Sequence, residues 1–369
     1  MKKRVAVLGA TGSIGKSTLD VLRQGQDDFE VVLLSGHTNS EGLLRVGAEF
    51  PQARLVLSGC GPEGPQGLSL AIAECGADIA VNGIAGAAGL EPSLAVLNAG
   101  MDLALANKET LVMAAPLVFA LAKEHHARIL PVDSEHAAIF NLLEAHGREQ
   151  LGEILLTASG GPFRSFSPEQ LAKVTVAQAL AHPTWSMGAK ITIDSATMAN
   201  KGLEVIEAAR LFDLPGECIR VVVHPQSIVH SMIRFRDGTV YAQLSRPDMR
   251  LPIQEALYYP AGGRMSFGTL DFNALTLHFE QPKVEQFPML ALAYQALGAG
   301  DPYPAVFNAA NEIAVSAFLA ERIGFLAIPR IVEKALQGDW KTPVLDLAAI
   351  LEIDRHARKV AEIYIERGI

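Results

Sequence analysis

The stretch RVAVLGATGSIGKSTLDVL, residues 4–22, decides the fold. Its short β-branched run predicts a buried strand at residues 4–8, GATGSIG predicts a tight turn, and the apolar spacing that follows predicts a helix. A glycine-rich turn between a strand and a helix is typical of dinucleotide-binding domains, because backbone N–H groups and the helix dipole meet the pyrophosphate there. The spacing G-x-x-G-x-x-G also fits a tight turn in another kind of α/β protein.

The alternation of strands and helices continues along the first third of the chain and predicts a doubly wound parallel sheet with helices on both faces. Further strands are predicted at 30–34, 54–57, 78–81, 103–106 and 128–132, with a long helix at 110–126. Beyond residue 153, predicted strands at 220–223, 227–236 and 239–244, the last two joined by a hairpin at Asp237-Gly238, indicate an α+β region. Predicted helices at 287–297, 304–320, 328–336 and 344–367 indicate a small helical bundle.

The sequence therefore predicts an α/β protein with an N-terminal Rossmann-like domain, a central α+β catalytic domain and a C-terminal helical bundle. The predicted segments are 1–127 for dinucleotide binding, 128–259 for catalysis, 260–284 as a linker and 285–369 for the bundle. In the last segment, FNAANEIAVSAFL carries Asn and Glu inside an apolar helix. We interpret that motif as helix packing and as subunit or domain contacts.

Composition restricts the classes of function. The chain has 369 residues, 49% of them hydrophobic and 19% charged, with a formal net charge of −9. An acidic balance disfavours nucleic acid as a partner, so an anionic ligand needs a local cationic site. The three cysteines, Cys60, Cys75 and Cys218, have no disulfide or zinc spacing, and no apolar run approaches a membrane span. We expect a cytoplasmic protein that binds neither nucleic acid nor membrane.

The central stretch HPTWSMGAKITIDSATMANKGLE, residues 182–204, is the richest in polar and aromatic side chains. A helix beginning near Asp194 would place Asn200 and Glu204 on one face, with Lys201 beside them. An ordinary amphipathic helix with a solvated polar face is the alternative. The loop before it, with a lone Trp185, is typical of a lid, and this indole would cover the carbon face of a substrate.

Polar clusters follow two predicted strands, at Asn107-Lys108-Glu109 and at Asp133-Ser134-Glu135. In an extended segment Asp133 and Glu135 point the same way and can face one ion; the alternative is that Asp133 or Ser134 caps a helix starting at Glu135. With the later Glu204 these acids make three oxygen ligands without cysteine, which favours one Mg²⁺ or Mn²⁺.

Donors for a phosphate group occur in the second half of the chain. Ser159 stands in a Ser-Gly-Gly turn suited to anions, and hydroxyl, imidazole, amide and ammonium groups come from Ser159, His182, Ser195, Asn200 and Lys201. After the second strand there is no acid for a ribose hydroxyl; small residues with His37 and Asn39 would accommodate a 2′-phosphate, which favours NADP. The residues alone thus predict a metal-dependent, NADP-linked enzyme for a small phosphorylated substrate.

The sequence resembles the 1-deoxy-D-xylulose 5-phosphate reductoisomerase family over nearly its whole length. The motifs that carry the resemblance are GATGSIGKSTLDV, ALANKE, PVDSEHAAIF, TASGGPFR, HPTWSMGAKITIDSATMANKGLE, VHPQSIVHS and NAANEIAVSAFL. The resemblance implies conversion of 1-deoxy-D-xylulose 5-phosphate into 2-C-methyl-D-erythritol 4-phosphate, on the methylerythritol phosphate route to isoprenoids, by a rearrangement followed by reduction with NADPH. It also implies a homodimer.

The resemblance further implies roles for particular residues. NADPH would be bound by Thr11, Gly12, Ser13, Ile14, Gly36, Asn107, Glu109 and Gly188, joined by Asn39 from its position after the second strand. Substrate contacts would come from Lys108, Ser134, Glu135, Ser159, His182, Ser195, Asn200, Lys201 and Glu204. The metal ligands would be Asp133, Glu135 and Glu204. The catalytic set would be these three carboxylates with His182 and with Lys108, placed to stabilise developing negative charge on substrate oxygen.

Two other classes share parts of the pattern. An NADP oxidoreductase of the semialdehyde dehydrogenase kind would share GATGSIG, but it needs a catalytic cysteine, and no cysteine here has such a setting. A non-catalytic NADP-sensing regulator would share the fold but would have no use for three carboxylates and a phosphate site. Oxidation of NADPH in the presence of deoxyxylulose phosphate separates the three.

Overall fold

The computed structural model describes residues 1–59, 64–185, 187–341, 344 and 346–368. The chain forms two compact units, each assembled from separate stretches. The first unit comprises Met1–Thr110, Pro116–Phe140 and Asp248–Thr269. The second comprises Leu111–Ala115, Asn141–Pro247 and the chain from Leu270 onward.

The first unit is built on a six-stranded parallel sheet in the order β3-β2-β1-β4-β5-β6. Its strands are β1 Lys3–Leu8, β2 Phe29–Gly36, β3 Arg54–Leu57, β4 Ile79–Asn82, β5 Asp102–Leu105 and β6 Ile129–Pro131. The order reverses between β1 and β4, which is the crevice where dinucleotides bind in such sheets. The predicted Rossmann-like sheet is confirmed, with strand bounds that differ from the predicted ones by at most one or two residues.

Helices connect these strands. They are α1 Ser13–Gln24, α2 Ser40–Glu49, α3 Gly64–Glu74, α4 Leu90–Asn98, α5 Glu109–Glu124 and α6 Ser134–His146, with a short 3-10 turn at Ala87–Gly89. The strands are apolar without alternation because both faces of the sheet are covered: Val5, Ala6, Val7 and Leu8 of β1 are all fully buried. The predicted long helix at 110–126 corresponds to α5.

A segment far along the chain completes the first unit. Helix α11, Arg250–Tyr258, packs Ile253 and Leu257 into the same core as β1 and α1. The Lys3 ammonium donates to the Leu257 carbonyl at 2.7 Å, and the Tyr258 hydroxyl donates to Asp28 at 2.7 Å. Burial, together with the Asp28 carboxylate, raises the pKa of Tyr258 to about 12. These contacts explain why residues 248–269 group with the N-terminal sheet; the four-segment division proposed from the sequence stays a prediction.

The second unit contains a mixed four-stranded sheet in the order β10-β9-β7-β8. Its strands are β7 Leu151–Ala158, β8 Ile219–Val223, β9 Val229–Phe235 and β10 Val240–Leu244. Strands β9 and β10 pair antiparallel around Asp237 and Gly238, whose φ of +90° suits glycine, so the predicted hairpin is confirmed.

The remaining helices of the described residues belong to the second unit. They are α7 Pro168–Leu171, α8 Val176–Leu180, α9 Ala189–Thr197, α10 Ala199–Leu211, α12 Met289–Ala299, α13 Tyr303–Leu319, α14 Ala327–Leu336 and α15 Leu347–Glu366, with a 3-10 turn at Gly216–Cys218. Helix α13 packs against α12, α14 and α15, so the C-terminal helical region is confirmed. The predicted start of its last helix includes Leu345, which with Thr342 and Pro343 lies outside the described residues. Within the described part of the chain, no helix combines the length and apolarity needed to cross a membrane.

One predicted helix start is wrong. The helix expected to begin near Asp194 begins at Ala189 and ends at Thr197, and α10 starts at Ala199 after the single residue Met198. Met198 adopts φ +66°, a left-handed conformation that terminates α9 and redirects the chain. Gly or Asn usually fills such a position, so a buried Met gives no stop signal in the sequence.

Candidate functional site

The glycine turn after β1 is held in a tight conformation that demands glycine. Gly9 has φ +81°, and the Gly12 amide donates to the Gly9 carbonyl at 3.0 Å. A Cβ atom on Gly15 would lie 2.3 Å from the Gly9 oxygen, so only glycine lets the first turn of α1 pack against the loop. The predicted strand–turn–helix arrangement is therefore present.

The N-terminus of α1 offers an anion site. Gly12 at the N-cap has no side chain to satisfy the first amides, and the first turn carries no acid. Gly12 and Ser13 are exposed, while Thr11 and Ile14 are half-buried. Free N–H groups at the positive end of a helix dipole suit the phosphates of a dinucleotide.

The end of β2 combines a buried glycine with exposed polar residues. Gly36 ends the strand, and His37 and Asn39 follow on the surface. The Asn39 side chain accepts from the Gly42 amide at 2.9 Å and so caps α2. Asn39 thus has a structural task that its position alone did not predict, and its contact with a cofactor stays a prediction.

Asn107, after β5, is buried and holds the loop that follows β4 through hydrogen bonds. Its amide nitrogen donates to the carbonyl oxygens of Ile84 and Gly86 at 2.6 and 2.9 Å, and to the Glu109 carboxylate at 3.2 Å. Its carbonyl oxygen accepts from the Thr110 amide at 3.0 Å. A fully used amide fixes the loop and the start of α5 together, so Asn107 shapes the crevice.

Strands β5 and β6 are parallel neighbours, so the residues that follow them lie at one edge of the sheet. The Lys108 ammonium lies 2.5 Å from the Asp133 carboxylate, and the two side chains are 5% and 12% exposed. The pair is shielded from water and therefore strong enough to orient both groups. The next hydroxyl, Ser134, donates to the Glu135 carboxylate at 2.5 Å.

The extended backbone predicted for Asp133 to Glu135 is wrong, whereas the alternative, a helix that begins near Glu135, is close to what is observed. Asp133 and Glu135 do not lie in an extended segment, because α6 begins at Ser134 and the Asp133 carbonyl accepts from the Ala137 amide at 2.8 Å. Asp133 therefore stands just before the first helical turn and Glu135 within it. Both acids are half-buried and lie near the positive end of the α6 dipole.

In the second unit, three predicted phosphate ligands meet. The His182 Nε2 atom lies 3.1 Å from both the Ser159 and the Ser195 hydroxyl oxygens. The turn after β7 allows this approach, because a Cβ on Gly161 would lie 2.6 Å from the Ser195 carbonyl, and Gly161 has φ +67°. The Ser-Gly-Gly sequence thus brings a strand end against α9.

The tautomer of His182 follows from its hydrogen bonds. The Nδ1 atom accepts from the backbone amides of Thr184 and Trp185 at 3.1 and 2.9 Å. Burial lowers the pKa of His182, so the neutral ring carries its proton on Nε2 and donates towards the serine hydroxyls. The same ring holds the start of the loop that carries the half-buried Trp185; Ser186 in that loop lies outside the described residues.

Helix α10 presents the last group of predicted residues. The Asn200 amide and the Lys201 ammonium both donate to the Glu204 carboxylate. Lys201 and Glu204 are buried, and Glu204 is 1% exposed. The predicted shared face is confirmed, although the helix starts elsewhere than expected. Gly188, predicted to contact the cofactor, is the exposed N-cap of α9 and accepts from the Thr192 hydroxyl at 2.8 Å.

Comparisons with known proteins agree along the chain. Three family profiles match: 1-deoxy-D-xylulose 5-phosphate reductoisomerase at residues 5–59 and 61–115, its C-terminal domain at 129–212, and a DXP reductoisomerase C-terminal domain at 244–360. The reductoisomerase of Chlorobium chlorochromatii is 50% identical over 380 residues, covering 98% of this chain and all of that protein. The chain belongs to the 1-deoxy-D-xylulose 5-phosphate reductoisomerase family.

Other reductoisomerases extend the match. The Treponema pallidum protein is 49% identical over 366 residues, covering 98% of this chain and 97% of its own length. The solved Zymomonas mobilis reductoisomerase in complex with NADPH superposes with a TM-score of 0.91 at 42% identity, covering 99% of this chain and 100% of that one. A reductoisomerase structure with NADPH, fosmidomycin and magnesium gives a TM-score of 0.90 at 39% identity over 99% of this chain and 98% of that one.

Sequence reasoning missed two groups of supporting residues. In the first unit, the buried Asn82 amide donates to the Gly89 carbonyl at 2.9 Å and to the Ser93 hydroxyl at 2.7 Å. In the second unit, the buried Asp194 accepts from Asn311 at 2.8 Å. An asparagine ending an apolar strand was a readable signal for the first group. The second joins residues 117 positions apart, and no local pattern reveals it.

Proposed function

We infer that this protein converts 1-deoxy-D-xylulose 5-phosphate into 2-C-methyl-D-erythritol 4-phosphate, with NADPH as reductant and one divalent cation, for isoprenoid precursor synthesis. The observation that carries the inference is the family match over almost the whole chain at about half identity, together with every motif of the site. The Rossmann-like order of the first sheet and its glycine turn supply the cofactor half, and the polar groups of the second unit supply the substrate half.

The cofactor assignment rests on backbone groups. Thr11, Gly12, Ser13 and Ile14 form the turn and the open helix end that suit a pyrophosphate. The relatives' structures contain NADPH. We assign NADPH contacts to this turn and to Gly36, Asn39, Asn107, Glu109 and Gly188.

The metal assignment rests on the chemistry of the donors. We propose that Asp133, Glu135 and Glu204 hold one Mg²⁺ or Mn²⁺, because carboxylate oxygens are the ligands these ions prefer and no cysteine takes part. The residues fit: the three acids are half-buried or buried, and Lys108 and Lys201 lie against two of them within their own units, which offsets the cost of burying the negative charge. A relative's structure contains magnesium.

When bound, the cation supplies a Lewis acid for the substrate's carbonyl and neighbouring hydroxyl oxygens, and NADPH supplies the hydride. The chain's own groups orient the substrate. Neutral His182 donates from Nε2, and with Ser159, Ser195, Asn200 and Lys201 it would hold the phosphate. The Lys108 ammonium can donate to an oxygen on which negative charge develops. Ser134 adds a hydroxyl beside Glu135.

The proposed phosphate contacts would also orient the reacting carbons of a small substrate. Binding energy from a group that does not react can be spent on orienting the carbons that do. Trp185 and the loop from His182 would then cover the substrate and exclude water. We further propose that the protein works as a homodimer in the cytoplasm.

The test is an assay of NADPH oxidation with 1-deoxy-D-xylulose 5-phosphate and Mg²⁺, with the product identified by mass and NMR. We expect turnover with Mg²⁺ or Mn²⁺, loss of turnover after chelation, and recovery when either ion returns. NADPH oxidation that ignores the chelator, or a product other than 2-C-methyl-D-erythritol 4-phosphate, would contradict the assignment.

A further inference from the structure

A buried polar contact joins α9, which carries Ser195, to α13 of the C-terminal helices. Asp194, immediately before Ser195, is 1% exposed. One carboxylate oxygen lies 2.8 Å from the Lys190 ammonium one turn earlier on α9. The other oxygen accepts from the Asn311 amide nitrogen on α13 at 2.8 Å, and Asn311 is fully buried. Helix α13 is therefore hydrogen-bonded to α9 at the residue immediately before Ser195.

The orientation of this contact is fixed by chemistry. An ionised carboxylate only accepts, so the Asn311 side chain must turn its nitrogen towards Asp194. A hydrogen bond to a charged acceptor is short and directional, so it restrains the rotation of a helix in a way that apolar packing does not. Apolar side chains would hold α9 and α13 together without burying a carboxylate, so packing alone does not account for this choice of residues.

The restraint bears on the phosphate ligands. Ser195 is the next residue after Asp194, and its hydroxyl lies 3.1 Å from His182 Nε2, which also meets Ser159. A change in the rotation of α9 would move the Ser195 hydroxyl away from the imidazole. The position of the Ser195 hydroxyl relative to the imidazole and to Ser159 therefore depends on how α9 is held.

We propose that Asn311 is a positioning residue: through Asp194 it sets the rotation of α9 and so presents Ser195 and His182 to the substrate phosphate. The proposal rests on the proposed function for the identity of the ligand. It assigns Asn311, the last residue of the Asn-Ala-Ala-Asn motif, a part in substrate binding, beyond the packing role expected of that motif.

The chain supplies a matched control one turn away. Asn308 lies on the same helix and is equally buried, and its amide also donates to a carboxylate, that of Glu312, at 3.2 Å. That contact stays within α13 and continues to Arg358, whose guanidinium lies 2.6 Å from Glu312. Asn308→Asp and Asn311→Asp thus each remove a buried amide donor and create a carboxylate pair, but only the second touches α9; the Asn308 amide also lies 3.5 Å from the Met113 sulfur of α5.

The experiment compares Asn311→Asp with Asn308→Asp, and Asn311→Leu with Asn308→Leu. Each variant is tested for the free energy of unfolding, for KM and kcat, and for the ¹⁵N signal of His182 Nε2. We expect similar losses of stability within each pair, because both positions lose a buried hydrogen bond. Only the Asn311 variants should raise the KM for 1-deoxy-D-xylulose 5-phosphate, by about tenfold, leave the KM for NADPH unchanged, and shift the His182 signal.

Several results would overturn the proposal. One is a folded Asn311→Leu or Asn311→Asp variant with unaltered substrate KM and an unaltered His182 signal. Another is an equal rise of KM in the Asn308 variants, since this would reveal a general effect of weakening α13. The NMR comparison needs no turnover, so it judges the positioning role even if the wild-type protein fails to reduce the substrate, which would refute the proposed function instead.

Discussion

The residues that we assign to NADPH in the first unit and those that we assign to the substrate phosphate in the second are held by different kinds of contact. In the first unit the turn after β1 acts through backbone amides, and its glycines are required by close approaches within residues 9–15. In the second unit the residues that we assign to the phosphate would act through side chains, held by contacts that include a hydrogen bond from Asn311 to Asp194 of α9. A backbone site is thus specified by local sequence, whereas a side-chain site depends on partners that are distant in sequence.

The largest loss of activity is expected from a substitution at Glu204. Glu204→Gln keeps the shape but removes a charge that, with Asp133 and Glu135, we assign to the cation. Turnover should fall on the order of a thousandfold, and the concentration of Mg²⁺ for half-maximal activity should rise. Steady-state kinetics over a range of Mg²⁺ measures both. NADPH binding, measured by calorimetry in the same variant, should stay unchanged; wild-type turnover at ordinary Mg²⁺ would remove Glu204 from the metal site.

The preference for NADPH over NADH can be changed by a substitution at the end of β2. His37→Asp places a carboxylate where the ribose 2′ group is expected, so it should repel the 2′-phosphate of NADPH and accept a hydrogen bond from the 2′-hydroxyl of NADH. The ratio of kcat/KM for NADPH to that for NADH should fall about tenfold. His37→Asn, similar in size and uncharged, is the control. The idea fails if the wild type already uses both nucleotides equally well.

A smaller effect is expected of pH on the free energy of unfolding. Burial lowers the pKa of His182 in the folded protein, and His224 shares this direction and cause. Between the lowered folded value and the ordinary unfolded one, near 6.5, the unfolded chain binds more protons, so stability rises with pH there and is lost as pH falls. Urea unfolding from pH 5 to 7.5 should show a shallower slope in His182→Asn. An unchanged slope in that variant, with His224→Asn accounting for all of it, would contradict a lowered pKa of His182 in the folded protein.

The sequence predicted the features that depend on local backbone requirements better than those that depend on partners distant in sequence. The parallel sheet and the glycine turn were predictable because apolar runs and glycines report local backbone requirements, and the bounds of the strands of this sheet were predicted to within one or two residues. The shared face of Asn200, Lys201 and Glu204 was also predictable from helical spacing. The break at Met198 was not, because its φ of +66° is imposed by packing and has no glycine to announce it.

The supporting contacts were the least predictable. The capping of α2 by Asn39 and the start of α6 at Ser134 depend on which of several polar residues takes the helix end, and the sequence allowed more than one answer. The bond from Asn311 to Asp194 depends on how helices distant in sequence pack. An asparagine in an apolar helix indicates a buried partner but does not say which residue it is.

The most direct test of the central claim measures NADPH and inorganic phosphate binding separately, by calorimetry, in Gly15→Ala and Ser195→Ala. A Cβ on Gly15 would lie 2.3 Å from the Gly9 oxygen, and Gly298→Ala, in the exposed part of α12 with open space around its Cβ, is the control. Gly15→Ala should weaken NADPH at least about tenfold and leave phosphate unchanged, and Ser195→Ala should do the reverse. Weakened binding of both ligands by either substitution, in a protein that remains folded, would contradict the claim that the residues assigned to NADPH and to phosphate are specified separately.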